Sequence, residues 1–448
     1  MAPSTSTDLR AAFARRLSDM YGGEVPAYTT LVEVAHEVNG EVLEREGSAA
    51  ERLGSIDRVT AERHGAIRVG SPTELEQVGR IFAAMGMHPV GCYDLRDAEP
   101  APLPVVSTAF RPVDPAELAR NPFRVFTSVL VPEDRRFFAA DLQRRVQRFL
   151  AARTLFPPEL LELADRAVAE GGLADDDAAR FLDLATAAFA LSPEPIDQFW
   201  YDELARVSGV AADIAGVTST HVNHLTPRVL DIDLLYRRMQ DRGVEMIDEI
   251  QGPPRWPGPD VLLRQTSFRA LAEPRPMRSA SGAVVPGELR VRFGEVEARG
   301  IALTPAGRDV VDALPPDAAA WAAALPSTEA GLADAGLAWF SASVAPAADD
   351  LRQAGERPPA SPSALVDAGW VRLDPVVYED FLPRSAAGIF RSNLADDGSR
   401  DAAEAGVERD GAWLAGALGR EVHDPMDLYA GQVERSWAAA RSALGVAS

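Results

Sequence analysis

The chain contains 448 residues, 46% of them hydrophobic and 25% charged, which is the composition of a globular protein with a large buried core. Its net charge of −22 argues against nucleic acid and anionic membranes as partners, because both bind mainly through cationic side chains. No apolar run is long enough to cross a bilayer and the first residues lack a secretory pattern, so we expect a cytoplasmic protein.

The first 60 residues are predicted to form a helical cap. Residues 9–46 carry apolar side chains at helical spacing, and the segment Tyr21-Gly22-Gly23-Glu24-Val25-Pro26 interrupts them. Two helices are therefore expected here, outside the part of the chain that carries the chemistry.

A strand, a helix and three further strands are predicted in residues 61–131. The first strand contains His64 and leads into Ser71-Pro72-Thr73-Glu74, where a capping serine, a proline and a glutamate that can reach back predict a helix running to about Met85. Runs rich in apolar and β-branched residues then predict three strands, at 88–95, 105–111 and 123–131.

The same order of elements is predicted again in residues 216–310, after a helical insertion at 132–215. A strand contains His221 and His224, and a helix that follows is ended by Gly243. Three extended runs come next, at 246–250, 261–270 and 289–303. The sequence thus predicts an α+β fold with paired βαβββ units and with inserted and flanking helices.

Residues 311–448 are predicted to form a C-terminal region that closes the site. They combine helical stretches with an apolar-rich segment at 370–393 and a helical tail.

Composition limits the chemistry that the chain can perform. It contains no lysine, which excludes a Schiff-base lysine, a pyridoxal-phosphate anchor and a P-loop lysine. Cys92 is the only cysteine, so multi-cysteine metal sites are excluded, and its place in a predicted strand favours a buried, inert thiol. Dinucleotide-binding, nucleophile-elbow and zincin motifs are absent from the sequence. A metal site must therefore use His, Asp and Glu.

His64, His224 and a carboxylate of the predicted third strand, Glu295 or Glu297, are the candidate ligands. Two imidazoles and one carboxylate leave half of an octahedral metal's positions open, as in non-haem Fe(II) enzymes. His221 lies three residues before His224, so in a regular strand only one of the two can join the site. Glu295 and Glu297 share one strand face, so spacing alone does not choose between them.

Structural explanations compete with these roles. Glu295, Glu297 and Arg299 on one face are also typical of a solvent-exposed strand, where the charges are hydrated. His64 beside a glycine is also typical of a loop histidine bonded to a backbone carbonyl. Arg68 shares the strand face of His64 and is suited to bidentate binding of a substrate carboxylate.

Several segments together resemble the 2-oxoadipate dioxygenase/decarboxylase family, distant relatives of the vicinal oxygen chelate fold. The segments that carry the resemblance are 62–70, 107–112, 121–128, 221–233, 262–268, 293–300 and 378–394. The resemblance implies a vicinal-oxygen-chelate-like open barrel. It also implies an Fe(II) enzyme that converts the small-molecule substrates 2-oxoadipate and O2 to 2-hydroxyglutarate and CO2 in lysine breakdown.

The resemblance also assigns roles to individual residues. His64 and His224 match the metal histidines of the family, and Arg68 matches the arginine that holds the distal carboxylate of the substrate. Glu295 is preferred as the third ligand, by similarity to the Phe-Phe-Glu strand of hydroxyphenylpyruvate dioxygenases, and Glu297 is the alternative.

A loop at 382–390 matches the family segment that closes over the substrate. Arg384 and Ser385 are its expected substrate contacts. Arg384 stands where the family is expected to have valine, a difference that bears on which 2-oxo acid fits rather than on the reaction.

Two other functions compete with this assignment. One is a different metal-dependent enzyme on the same scaffold, namely an isomerase, a lyase or an extradiol dioxygenase. The other is a small-molecule binding protein without turnover.

Overall fold

The computed structural model describes residues 3–98, 102–290, 292–383, 389, 393, 404 and 406–446. Helices and several small sheets alternate along the chain in a mixed α+β architecture. The helices of the described residues are α1 Ser6–Glu24, α2 Pro26–Glu46, α3 Ile56–Ala61, α4 Pro72–Ala84, α5 Pro115–Arg120, α6 Ala140–Ala152, α7 Pro158–Glu170, α8 Asp175–Ala188, α9 Gln198–Ala205, α10 Gly209–Ala215, α11 Ile232–Asp241, α12 Pro305–Asp312, α13 Ala318–Ala324, α14 Glu329–Asp334, α15 Ala348–Gln353, α16 Pro362–Asp367, α17 Gly411–Leu418 and α18 Pro425–Leu444. Within the described ranges, no helix is both long enough and apolar enough to cross a membrane.

The strands of the described ranges form one large sheet and three small ones. They are β1 Arg63–Val69, β2 His88–Asp94, β3 Val105–Arg111, β4 Arg124–Leu130, β5 Ile196–Asp197, β6 Val222–Pro227, β7 Leu263–Ser267, β8 Glu273–Arg278, β9 Val284–Leu289, β10 Glu295–Arg299, β11 Phe340–Val344 and β12 Val371–Pro375. The large sheet has the order β2-β3-β4-β1-β6.

The first predicted strand-helix-strand series forms four of these five strands. β1 runs parallel to β4, and β2, β3 and β4 pair antiparallel in sequence. Ser71 caps α4 by accepting a hydrogen bond from the amide of Glu74, and the Glu74 carboxylate accepts one from the amide of Gly70 at 2.6 Å. The predicted helix start at Ser71 is confirmed, because both capping groups satisfy amides that the helix leaves unpaired.

The second series repeats this pairing order around β6. β10 pairs antiparallel with β7, and β7 is bridged antiparallel by Met246 and Gln251. β10 is bridged in parallel to Arg228, next to the end of β6. β6 in turn pairs antiparallel with β1, so the two series meet at these two strands.

One predicted strand is wrong in its extent. The sequence predicts one extended run over 289–303, whereas β10 begins at Glu295, and β9 belongs to another sheet with the order β5-β8-β9. Gly282 has a φ of 81°, a value that glycine adopts easily, and the turn around it folds β9 back onto β8. The hairpin therefore includes Leu289, the first residue that the sequence pattern assigns to the third strand.

Cys92 also differs from expectation, because its side chain is exposed. It lies on β2, the edge strand of the large sheet, and the pairing of β2 with β3 is irregular between Val90 and Tyr93. An edge strand has one open side, so an apolar sequence does not guarantee burial of every side chain.

The N-terminal helices confirm the prediction of two helices, and α1 does more than cover the core. The buried Tyr21 hydroxyl lies 3.0 Å from the carbonyl oxygen of Asn223 and 2.8 Å from that of Phe293. Asn223 belongs to β6 and Phe293 lies two residues before β10, so Tyr21 ties together the two segments that carry His224 and Glu295.

Replacing Tyr21 by phenylalanine should lower the free energy of unfolding by about 1–3 kcal/mol, because it removes a buried hydroxyl that donates to main-chain carbonyl groups. Chemical denaturation of the metal-free protein measures this loss. Tyr28→Phe is the matched control, since the Tyr28 hydroxyl contacts only the Ser18 hydroxyl at 2.9 Å among the described residues. Equal losses in the two variants would contradict the role given to Tyr21.

Candidate metal and substrate site

Three of the predicted site residues meet in one buried cluster, hereafter the triad: His64 on β1, His224 on β6 and Glu295 at the start of β10. Their ligand atoms all lie within 4.8 Å of one another. Glu295 contacts both imidazoles, with Oε1 3.3 Å from His64 Nε2 and Oε2 3.4 Å from His224 Nδ1. All three side chains are at most 6% exposed, so the loop position considered for His64 is wrong.

The strand register explains why the two histidines face each other. In the antiparallel pair of β1 and β6, His64 lies opposite Thr226 and Ala66 lies opposite His224, which puts both imidazoles on one face. The register shifts between Ala66 and Ile67, so that β6 carries an irregularity at Asn223. His221 lies beyond it and contacts Asp213 instead of the triad, with Nε2 3.4 Å from Oδ1.

Glu295 and Glu297 both point inward but differ in their partners. Both are buried, with at most 3% exposed, so the solvent-exposed face considered for this strand is wrong. Glu297 Oε2 lies 2.8 Å from His64 Nδ1, the ring nitrogen turned away from Glu295. Arg299 donates to Glu297 from Nε at 2.6 Å and from Nη2 at 3.0 Å. Glu295 is therefore the carboxylate that meets both histidines, whereas Glu297 contacts only the other ring nitrogen of His64.

The triad fits a metal ion on chemical grounds. Neither ring nitrogen of His224 has a hydrogen-bond partner in the described part of the chain, although both are buried. Unpaired buried polar atoms are unfavourable, and a bound cation would supply the missing partner. Burial, His64 and Arg68 hold the pKa of His224 well below its usual value, so the ring is in the neutral form that binds metals.

The pKa values of the two carboxylates are shifted in opposite directions. Burial raises the pKa of Glu295 above its usual value. Burial also acts to raise the pKa of Glu297, but Arg299, His64 and Arg124 outweigh it and lower that pKa to about 2. Glu297 thus holds a negative charge beside His64, which favours a proton on Nδ1, the ring nitrogen that it contacts.

Glu297 belongs to a buried cluster of three carboxylates and four guanidinium groups, hereafter the arginine network. Its members are Glu62, Glu297, Glu379, Arg58, Arg124, Arg228 and Arg299. Glu62 accepts from Arg124 at 2.6 Å and from Arg228 at 2.9 Å. Glu379 accepts from Arg58 and Arg124.

Sequence reasoning did not find most of this network. A usable signal was present, because charged residues lie inside otherwise apolar strands and their flanks, as Arg124 does at the start of β4. Charges in such positions predict pairing with other buried charges.

Arg68 lies on the same face of β1 as His64 and is 4% exposed. Its guanidinium donates to Asp213 of α10, and it lies opposite Ser128 of β4. The Arg68 charge contributes to the low pKa of His224, which shows that the guanidinium and the triad are electrostatically coupled.

The space beside the triad is small. A cavity of about 20 Å³ is lined by His64, Phe126, His224, Gln265, Glu295, Phe381 and Ile389. One water molecule needs roughly 10–15 Å³ by this measure, so an ion or a water fits and a six-carbon acid does not. Phe381 directly precedes the predicted closing loop at 382–390, and Ile389 belongs to it. Arg384 and Ser385 of that loop lie outside the described residues.

Comparison with known proteins agrees with this site. A sequence model of the 2-oxoadipate dioxygenase/decarboxylase family matches residues 13–393. The 2-oxoadipate dioxygenase/decarboxylase of Mycobacterium tuberculosis is 61% identical over 94% of this chain and 95% of that protein. The protein of the same name from Escherichia coli is 39% identical over 96% of this chain and 97% of that protein.

A solved structure is similar over almost the whole chain. Hydroxyglutarate synthase from Pseudomonas putida, crystallised with 2-oxoadipate, has a TM-score of 0.84 and 37% identity over 99% of this chain and 100% of that one. The fold is thus that of a decarboxylating dioxygenase. The chain belongs to the 2-oxoadipate dioxygenase/decarboxylase family.

Replacing Glu297 by glutamine should lower the free energy of unfolding of the metal-free protein by about 3–5 kcal/mol, because it leaves buried arginines without a counter-charge. Urea denaturation measures this loss. Glu295→Gln, two residues away on the same strand, is the control and should lose much less, since the pKa of Glu295 is raised and that of Glu297 is lowered. A larger loss in Glu295→Gln would contradict the division of roles between the two carboxylates.

Proposed function

We propose that the protein is an Fe(II)-dependent enzyme that converts 2-oxoadipate and O2 to 2-hydroxyglutarate and CO2, with His64, His224 and Glu295 as the iron ligands. The observation that carries the proposal is the buried triad with the unpaired nitrogens of His224. Relatives named for this reaction match nearly the full chain. The equation balances with one O2 and no second acid, because the substrate carries both the 2-oxo acid and the carbon chain of the product.

The arrangement of the strands supports a further part of the proposal, which concerns the fold. We infer that the two strand series are paired βαβββ units that form a vicinal-oxygen-chelate-like open barrel. The support is that β1 and β4 in the first series and β6 and β10 in the second are arranged alike, and that the series meet through β1 and β6. The triad takes its residues from both series, so it assembles only when they pack together.

Two imidazoles and one carboxylate are a ligand set that suits iron, and iron when bound makes O2 reactive toward an organic acid. The chain's own residues do the rest. Glu297 keeps His64 in one orientation and one tautomer. Phe126, Phe381 and Ile389 place apolar side chains beside the triad, which limits the room for water there.

Arg68 is proposed to bind the distal carboxylate of 2-oxoadipate. A guanidinium offers a planar set of donors that match a carboxylate, and this one lies on the strand face that carries His64. Holding both ends of the acid fixes the reacting carbon near the iron. Arg384 and Ser385 remain predicted contacts of the same substrate.

The proposal is tested with protein loaded anaerobically with Fe(II) and then given O2 and 2-oxoadipate. O2 uptake and CO2 release in equal amounts are expected, with 2-hydroxyglutarate as the product. His224→Ala should lose both the iron and the turnover, whereas His221→Gln should keep its iron, because His221 contacts Asp213 and not the triad.

Other outcomes would contradict the proposal. Uptake of O2 without CO2 release would contradict decarboxylation of 2-oxoadipate, and metal binding without O2 uptake would leave an isomerase or a lyase as the candidate function. Full iron content in His224→Ala would contradict the ligand assignment.

A further inference from the structure

The helical insertion between the two strand series supplies a charged group to the site. Asp213 of α10 pairs with Arg68, and the side chains are 2% and 3% exposed. A buried ion pair of this kind is stable only when its geometry is good and its remaining polar atoms are satisfied. The contact joins two residues that are 145 positions apart in the sequence.

Further contacts fix Asp213 in place. Asn223 donates from Nδ2 to Asp213 Oδ2 at 2.8 Å, and His221 Nε2 lies 3.4 Å from Asp213 Oδ1. Asn223 Nδ2 also lies 3.2 Å from His221 Nε2. Asp213, His221 and Asn223 are all buried. The carboxylate is thus held from β6 as well as from its own helix, and it cannot shift without disturbing both.

The backbone of Arg68 is anchored as well. The Thr220 hydroxyl donates to the carbonyl oxygen of Arg68 at 2.7 Å, and Ser128 lies opposite Arg68 in the parallel ladder of β1 and β4. With the main chain fixed, the position of the guanidinium depends on what holds the end of a long side chain. Arginine side chains have many rotamers, so a partner at the end removes most of that freedom.

We propose that Asp213 is a positioning residue that fixes where the Arg68 guanidinium lies and so sets the chain length of the 2-oxo acid that the enzyme accepts. The inference rests on the proposed function. The distance from the iron ligands to a fixed cation selects one spacing between the keto acid and the distal carboxylate. A mobile Arg68 guanidinium can also reach the carboxylate of a shorter acid. Loosening the guanidinium should therefore weaken the discrimination between acids of different length more than it weakens the binding of either acid.

The test compares 2-oxoadipate with 2-oxoglutarate, which is one carbon shorter and carries the same charges. Because both acids are dianions, any change in the net charge of the site affects them alike and cancels in the ratio of their kcat/KM values. Asp213→Ala should lower the preference for 2-oxoadipate at least ten-fold. Asp213→Asn keeps an acceptor for Arg68 and should give an intermediate ratio.

Asp134→Asn is the matched control. Asp134 is also a buried carboxylate bound by arginines, with Oδ2 2.9 Å from Arg96 and 2.7 Å from Arg136, but these residues are not part of the proposed substrate site. General loss of stability should lower kcat/KM for both acids equally and leave the ratio unchanged. A double variant shows whether Asp213 acts through Arg68. If it does, adding Asp213→Ala to Arg68→Ala should not change the ratio of kcat/KM values any further.

The outcomes separate this inference from the proposed function. A wild-type enzyme that turns over neither acid would overturn both. A wild-type enzyme that prefers 2-oxoadipate, with an unchanged ratio in both Asp213 variants, would overturn only the positioning role. A further drop of the ratio when Asp213→Ala is added to Arg68→Ala would also overturn the positioning role alone.

Discussion

The contact between Glu297 and His64 is the interaction on which the rest of the site depends. It joins the triad to a network of arginines that would be unstable inside the protein without carboxylate partners. Glu62, Arg124 and Glu297 come from the flank of β1, from β4 and from β10, so their ion pairs form only when these strands are in register. The same charges that align the strands therefore also align the candidate ligands.

Regions outside the strand series also contribute to the site. Tyr21 of α1 bonds to the carbonyl groups next to His224 and before Glu295, and Asp213 of α10 holds Arg68. In this fold the helices therefore do more than cover the strands. They fix the positions of groups that the strands bring only approximately together.

Much of the fold could be predicted from the sequence, and the reason is local. The first series has a capped helix and three apolar runs with clear ends, so its elements follow from capping and periodicity. β10 is shorter than the run predicted at 289–303. The hairpin of β8 and β9 lies between β7 and β10 in the chain, and it ends at Leu289. Cys92 differs from expectation because burial depends on where a strand lies in the sheet.

The site could be predicted only in part from the residues themselves. Strand alternation puts Glu295 and Glu297 on one face and does not distinguish them. They differ in the folded structure, where Glu295 lies near Nε2 of His64 and Glu297 near Nδ1. The partner of Arg68 comes from a helix 145 residues away, which no local pattern reveals. The resemblance to a family supplied the roles, and the structure supplied the partners that explain them.

The central claim is that Glu295 binds the metal while Glu297 orients His64. Crystals of the Fe(II)-loaded protein, measured with X-rays near the iron absorption edge, locate the ion directly. The account predicts one iron bound by His64, His224 and Glu295, with Glu297 still in contact with His64 Nδ1. Iron bound by Glu297, or iron away from these histidines, would contradict it.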